Sequence, residues 1–232
     1  MTTIVAGLAW AHVVYPADRE ATIAVWQDPR VEISTPGRAV VLSPTADSKK
    51  PLSDWVLVFY PGAKVDPFSY LAPFVDLVGD DGLRVVIPEP PLNLAFTVSQ
   101  PASELAALAG DYQSLAVGGH SLGGVKACLE ADSADVRALL LQASYCANDL
   151  SATSLSVLTV LGSRDGLTDS AVVDEAAGLL PDGHTTLVID GANHASFGSY
   201  GPQAGDGSSM VSPEEMRIQL TAALREFFAS GD

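Results

Sequence analysis

Short runs rich in Val, Ile and Leu recur along the chain, bounded by Gly, Pro and Asp, which is the pattern of successive β-strands. "ATIAVWQ" (21–27), "VEIST" (31–35) and "RAVVLSP" (38–44) come first and read as antiparallel strands. "DWVLVFYPG" (54–62) is almost continuously apolar, as a strand covered on both faces should be. "LRVVIPEP", "SLAVGG", "VRALLLQAS", "LSVLTVLGS" and "HTTLVID" follow. Helical patterns lie between them. "PFSYLAPFVDLVGDDG" spaces its apolar residues helically and ends in an Asp-Gly stop. "PASELAALAG" opens on Pro101 and closes on Gly110, the expected asymmetry of a helix. "LGGVKACLEA" and "DSAVVDEAAGLLPDG" are also helical. In "SPEEM", Ser212 can cap, Pro213 suits the first helical position, and Glu215 completes a capping box. Met216, Leu220, Ala223, Leu224 and Phe227 then form one apolar stripe.

Strands alternating with helices imply a mostly parallel sheet covered on both faces. The expectation is a single α/β domain over residues 1–232, with eight strands, antiparallel at the N-terminal edge. Ligands of such sheets bind beyond the carboxyl ends of the strands. The residues that follow each strand are therefore the ones to search.

After "SLAV" stands Gly119-His120-Ser121-Leu122-Gly123, a GxSxG match between a strand and a helix. That context suits a nucleophile elbow, where a strained turn exposes the serine hydroxyl. The residues two before and two after Ser121 must approach closely, so both are glycine. A serine needs a base. His12 lies in the N-terminal segment, His120 sits beside Ser121 and should point elsewhere, and His184 precedes the last strand. His194 follows "LVIDGAN", at the carboxyl end of that strand, which agrees with the chain order nucleophile, acid, histidine. Asp165, in the Gly-flanked turn after "LSVLTVLGS", is the first candidate for the acid, and Asp149 is the runner-up. The N–H groups of Leu122 and Ala63 are candidates for the oxyanion hole. Gly62, Lys64, Tyr145 and Phe197 are candidate substrate-binding residues, although Lys64 could equally pair with Asp66.

Composition narrows the field. The net charge is -16, from 12 basic against 28 acidic residues, and this field repels phosphate backbones and anionic membranes. No nucleic-acid or membrane partner is expected. Cys128 and Cys146 form no CxxC pair. They read as buried free thiols in a reducing compartment. The first twenty residues lack a basic start and a cleavage signal, so a cytoplasmic protein is expected. No metal-ligand spacing and no Walker loop stands out, so neither metal nor cofactor is expected.

Taken together, the chain resembles the α/β-hydrolase superfamily, and within it the compact fold-5, dienelactone hydrolase-like branch. The resemblance runs through "VLVFYPGAKVDPFSYLAPF", "VVIPEPPLNLAF", "GGHSLGGVKA", "LLLQASYCANDLS", "VLGSRDG" and "GANHASFGSYGPQAGDG". It implies a Ser-His-Asp hydrolase with Ser121, Asp165 and His194 as its triad. Only "YCANDLSATS" separates the strands where many relatives carry a helical lid, so the pocket should be shallow or shaped by loops. The expected substrate is a small ester, thioester or lactone. Acyl transfer by the same triad, or ligand binding without turnover, are the alternatives. The oligomer is expected to be a monomer or a homodimer. The long loop "ASFGSYGPQAGDGSSMV", with Phe197 and Tyr200, is expected to fold over one pocket wall and to brace His194.

Overall fold

The computed structural model describes residues 14–46 and 49–230. His12 and the N-terminal leader question lie outside the described residues. Eight strands form one sheet: β1 (Val31–Ser34), β2 (Ala39–Pro44), β3 (Trp55–Tyr60), β4 (Arg84–Pro88), β5 (Ser114–His120), β6 (Val136–Gln142), β7 (Ser156–Gly162) and β8 (Thr185–Ile189). Their spatial order is β1-β2-β4-β3-β5-β6-β7-β8. β1 pairs antiparallel with β2, and β2 antiparallel with β4. Every later pairing is parallel.

The central parallel strands β3, β4 and β6 read as apolar runs because both their faces are covered. Val56 to Tyr60 of β3 are wholly buried. On one face, Leu57 and Phe59 pack with Tyr70, Phe74, Leu220 and Phe228. These come from a 3₁₀ turn (Pro67–Tyr70), helix α2 (Leu71–Asp76) and the C-terminal helix α6 (Pro213–Ser230). On the other face, Val56 and Val58 pack with Ala102, Leu105, Ala127 and Cys128. These belong to α3 (Ala102–Ala106) and α4 (Leu122–Ala131). Helix α5 (Ser170–Ala176) sends Val173 and Ala176 inward.

The segment 21–27 is not a strand. It lies in helix α1 (Arg19–Trp26), whose N-cap Asp18 accepts from the Ala21 N–H at 2.8 Å. The apolar, β-branched run reads as a strand locally, but the capping aspartate and Glu20 in the first turn start a helix. At the other end of the chain the capping box forms as its spacing suggests. The Glu215 N–H donates to Ser212 Oγ at 3.2 Å, and the Ser212 N–H donates to Glu215 Oε2 at 2.9 Å.

Cys128 and Cys146 are joined in a disulfide, with their Cα atoms 5.5 Å apart. The expectation of two free thiols is therefore wrong, and the reducing compartment inferred from them loses its premise. The thiols are 18 residues apart in sequence, with no short-range motif to signal the pairing. The α4 crossover between neighbouring strands β5 and β6 brings them together. Among the described residues, no helix is long and apolar enough to cross a membrane.

The bond closes a loop of moderate length, which restricts the unfolded chain by about 3 kcal/mol. Intact mass should show no free thiol, and the Cys128→Ala/Cys146→Ala protein should lose roughly that stability in urea unfolding.

Candidate active site

Four strand ends meet at the carboxyl edge of the sheet. β5 ends at His120, and Ser121 turns sharply into α4 with φ 53° and ψ −124°. For a non-glycine residue this is a strained position. The backbone of Ser121 is tied down on both sides. Its N–H donates to Gln142 O at 2.9 Å, and its carbonyl accepts from Gly124 N–H at 3.0 Å and Ser144 Oγ at 2.7 Å. The turn is too tight for side chains at its flanks. A Cβ on Gly119 would lie 2.3 Å from the Gly123 carbonyl carbon, and one on Gly123 would lie 2.0 Å from Tyr60 O. Leu122 opens α4, so its N–H has no acceptor inside the helix. Ala63 follows β3, the neighbour of β5. Neither of these two N–H groups donates to another described residue.

Asp165 lies in the turn after β7 and His194 in the 3₁₀ turn (His194–Phe197) after β8. The structure brings them together: His194 Nδ1 is 2.9 Å from Asp165 Oδ2. Thr168 Oγ1 donates to Ala143 O, so it accepts from the same Nδ1–H, at 3.1 Å. Burial pushes the Asp165 carboxyl up, but the His194 contact and the N–H groups of Thr168 and Leu167 outweigh it and hold it at about 2. The acid is thus ionised and fixes the Nδ1–H tautomer, leaving Nε2 of His194 as the free basic nitrogen. Asp149, the runner-up, is solvent-exposed and accepts from the N–H and hydroxyl of Ser151.

The proposed substrate contacts divide. Gly62 lies at the site, but its N–H is taken by Tyr70 Oη at 2.9 Å. Lys64 is nearly buried, with its ammonium 5.6 Å from the centroid of the Tyr15 ring. Asp66 uses its carboxylate to accept from the Phe68 N–H. Tyr145 is half-buried beside Ser144. Phe197 is fully buried and stacks on His120, with centroids 6.0 Å apart. It belongs to the hydrophobic core rather than to an exposed pocket wall. Tyr200 is buried too, 5.9 Å from Tyr15 and 6.2 Å from His120.

The same loop does brace His194, through a residue the sequence reading passed over. Asp206 Oδ1 accepts from the N–H of His194 and of Gly166, each at 3.1 Å. Its Oδ2 accepts from the Ala195 N–H at 2.9 Å. One carboxylate therefore spans the turn carrying the acid and the turn carrying the base. The glycines on either side of Asp206 let it enter: a Cβ on Gly207 would lie 1.9 Å from Arg164 O. The "GDG" string was a usable signal, because an acid between two glycines marks a backbone-hugging turn. A cavity of about 850 Å³ lies behind this loop, walled by Tyr200, Gln203, Met216 and Arg217 among others, and none of Ser121, Asp165 and His194 reaches it. Among the described residues, no three His, Cys, Asp or Glu side chains are grouped to hold a metal ion.

Residues 56–218 match the model of the alpha/beta hydrolase family, and the chain belongs to that family. No curated protein matches it. Among solved structures it is similar to the esterase Est2 of Thermogutta terrifontis with butyrate bound, at 15% identity and TM-score 0.56, covering 87% of this chain and 94% of that one. A Klebsiella pneumoniae protein provisionally named as a dienelactone hydrolase matches at 16% identity and TM-score 0.53, over 82% and 92% of the two chains. An esterase from the fungus Rhizomucor miehei matches at 14% identity and TM-score 0.54, over 92% and 89%. At these identities the likeness shows the fold.

Two outcomes follow from this geometry. Asp206→Ala leaves several backbone N–H groups without their acceptor and should lower unfolding free energy by about 1–3 kcal/mol, read in urea. The folded Asp165 carboxyl lies at about 2, below its unfolded value of about 3.9. Its ionised form therefore stabilises the fold fully above pH ~4, and that contribution disappears as pH falls through about 2. The stability difference between wild type and Asp165→Asn, measured from pH 6 downward, should shrink across that window.

Proposed function

We propose that the protein is a serine hydrolase that cleaves a small carboxylic ester, thioester or lactone through an acyl-enzyme. The observation that carries this reading is the buried Asp165–His194 pair at 2.9 Å, set one strand away from a loop joined to the strained turn of Ser121. In this reading Ser121 Oγ attacks the substrate carbonyl carbon while His194 Nε2 takes the hydroxyl proton. The Leu122 and Ala63 N–H groups receive the oxyanion. Collapse of the tetrahedral intermediate breaks the bond to the alcohol or thiol, which leaves with the proton from His194. Water then attacks the acyl-enzyme with His194 again as base. The carboxylic acid departs, and Ser121 regains its proton.

A small substrate is supported by the connections. Residues 143–155 alone link β6 to β7, so no lid domain stands there to enclose a long chain. Esterase neighbours on the same fold agree with the reaction class, and Est2 was solved with butyrate, a short acid.

Labelling with a fluorophosphonate, read by intact mass and peptide mapping, should place one adduct on Ser121. Ser121→Ala should abolish it and lower turnover of p-nitrophenyl acetate by about 10³-fold or more without changing the melting temperature. A folded wild type that takes no adduct would overturn the proposal in favour of a binding protein. Products formed with a competing alcohol separate hydrolysis from acyl transfer.

A further inference from the structure

His120 does no work in the reaction as written, yet it is fully buried beside the nucleophile. Both its ring nitrogens are engaged. Nδ1 lies 3.0 Å from Tyr70 Oη, and Nε2 lies 3.1 Å from the backbone carbonyl oxygen of His194. Tyr70 Oη in turn accepts from the Gly62 N–H at 2.9 Å. The two ends of this chain have fixed polarity, because a backbone N–H only donates and a carbonyl oxygen only accepts. Tyr70 therefore accepts from Gly62 and has one proton, which it donates to His120 Nδ1. His120 must then carry its proton on Nε2 and donate it to His194 O. Only one arrangement satisfies all four groups.

The chain runs between the two halves of the candidate site. Gly62 directly precedes Ala63, and the Gly62 carbonyl is itself held by the Val65 N–H at 3.1 Å. Both peptide planes bordering Gly62 are thereby fixed, and with them the direction of the Ala63 N–H. At the other end the bond lands on the backbone of His194, on the opposite side from Asp206. The packing leaves little slack. A Cβ on Gly62 would lie 2.8 Å from His120 Nδ1, the His120 and His194 rings are 4.6 Å apart, and Phe197 stacks on His120. Burial, and then the neighbouring His194, hold the His120 imidazole well below its usual pKa, while burial raises that of Tyr70. Both stay neutral, as the chain of donors requires.

We propose that His120, held as its Nε2–H tautomer and bridged by Tyr70, is a positioning residue that registers the Ala63 oxyanion donor against the base His194. It touches no reacting atom. The inference rests on the hydrolase reading for its catalytic consequence, but the hydrogen-bond chain exists independently of it.

The test uses the intact protein labelled with ¹⁵N. Long-range ¹H–¹⁵N spectra should show His120 in one neutral tautomer, protonated at Nε2. Tyr70→Phe keeps the ring against Phe59 and removes only the bridging hydroxyl. It should move the backbone amide signals of both Ala63 and His194 while His120 stays protonated at Nε2, held there by the His194 carbonyl. On p-nitrophenyl acetate it should lower kcat by about 10- to 100-fold, the cost of a misplaced catalytic group, with KM changed less than about threefold. His120→Gln keeps an amide donor for His194 O and an amide oxygen that can accept from Tyr70, but not the rigid spacing of the imidazole nitrogens, and should lie between wild type and His120→Ala in kcat. A wild-type His120 protonated at Nδ1 or doubly protonated overturns the proposal. So does a Tyr70→Phe protein whose melting temperature falls while kcat and the His194 amide stay unchanged. If wild type neither turns over ester nor takes the fluorophosphonate, the hydrolase reading fails, and the tautomer and amide shifts still decide the chain.

Discussion

The turn at Ser121 constrains everything around it. A serine held at φ 53° costs about 1–3 kcal/mol that its surroundings must offset. They do so by crowding. Gly119 and Gly123 leave no room for a side chain against Gly123 and the Tyr60 carbonyl, and Ser144 donates to the Ser121 carbonyl from the loop after β6. β3, β5 and β6 must therefore lie in register for the turn to exist. The helix that leaves the turn is bound again two turns later, where Cys128 joins Cys146. The backbone of Ser121 is held by parts of the sheet, by a helix and by a covalent cross-link.

Asp165 and His194 are held differently. They stand on turns after β7 and β8, at the edge of the sheet, where fewer strands confine them. The long loop after His194 supplies the missing restraint by sending one carboxylate, Asp206, back to both turns. Thr168 adds a second tie, since its hydroxyl meets both Ala143 O and His194 Nδ1. His194 is thus fixed through its ring by Asp165 and through its backbone by Asp206 and His120. A histidine held from several directions has little orientational freedom left, which is what the proposed role of general base requires. That is what a site built from loops without a lid needs.

Where the sequence misled, the cause was local resemblance. Residues 21–27 have the composition of a strand, and only Asp18 and Glu20 upstream say otherwise. Phe197 interrupts a run of small residues, a pattern that suggests a pocket wall, and it is fully buried against His120. Whether an aromatic faces a pocket or the core depends on what packs against it, here His120. The free-thiol reading failed because a disulfide between a helix and a later loop has no spacing rule.

What the sequence by itself determined is the alternation of strands and helices from β1 onward and the identity of the turn residues. Both follow from short-range physics: apolar runs bounded by turn formers, helix caps, and glycines where a bend admits no side chain. Ser121, Asp165 and His194 could be chosen because each stands just after a strand, and parallel strands send all such residues to one edge. The tertiary structure alone decided which carboxylate meets His194, that Asp206 joins two turns, that Cys128 pairs with Cys146, and that His120 sits between Tyr70 and the base. Those are contacts between residues far apart in the chain, set by strand order and packing, and no local pattern encodes them.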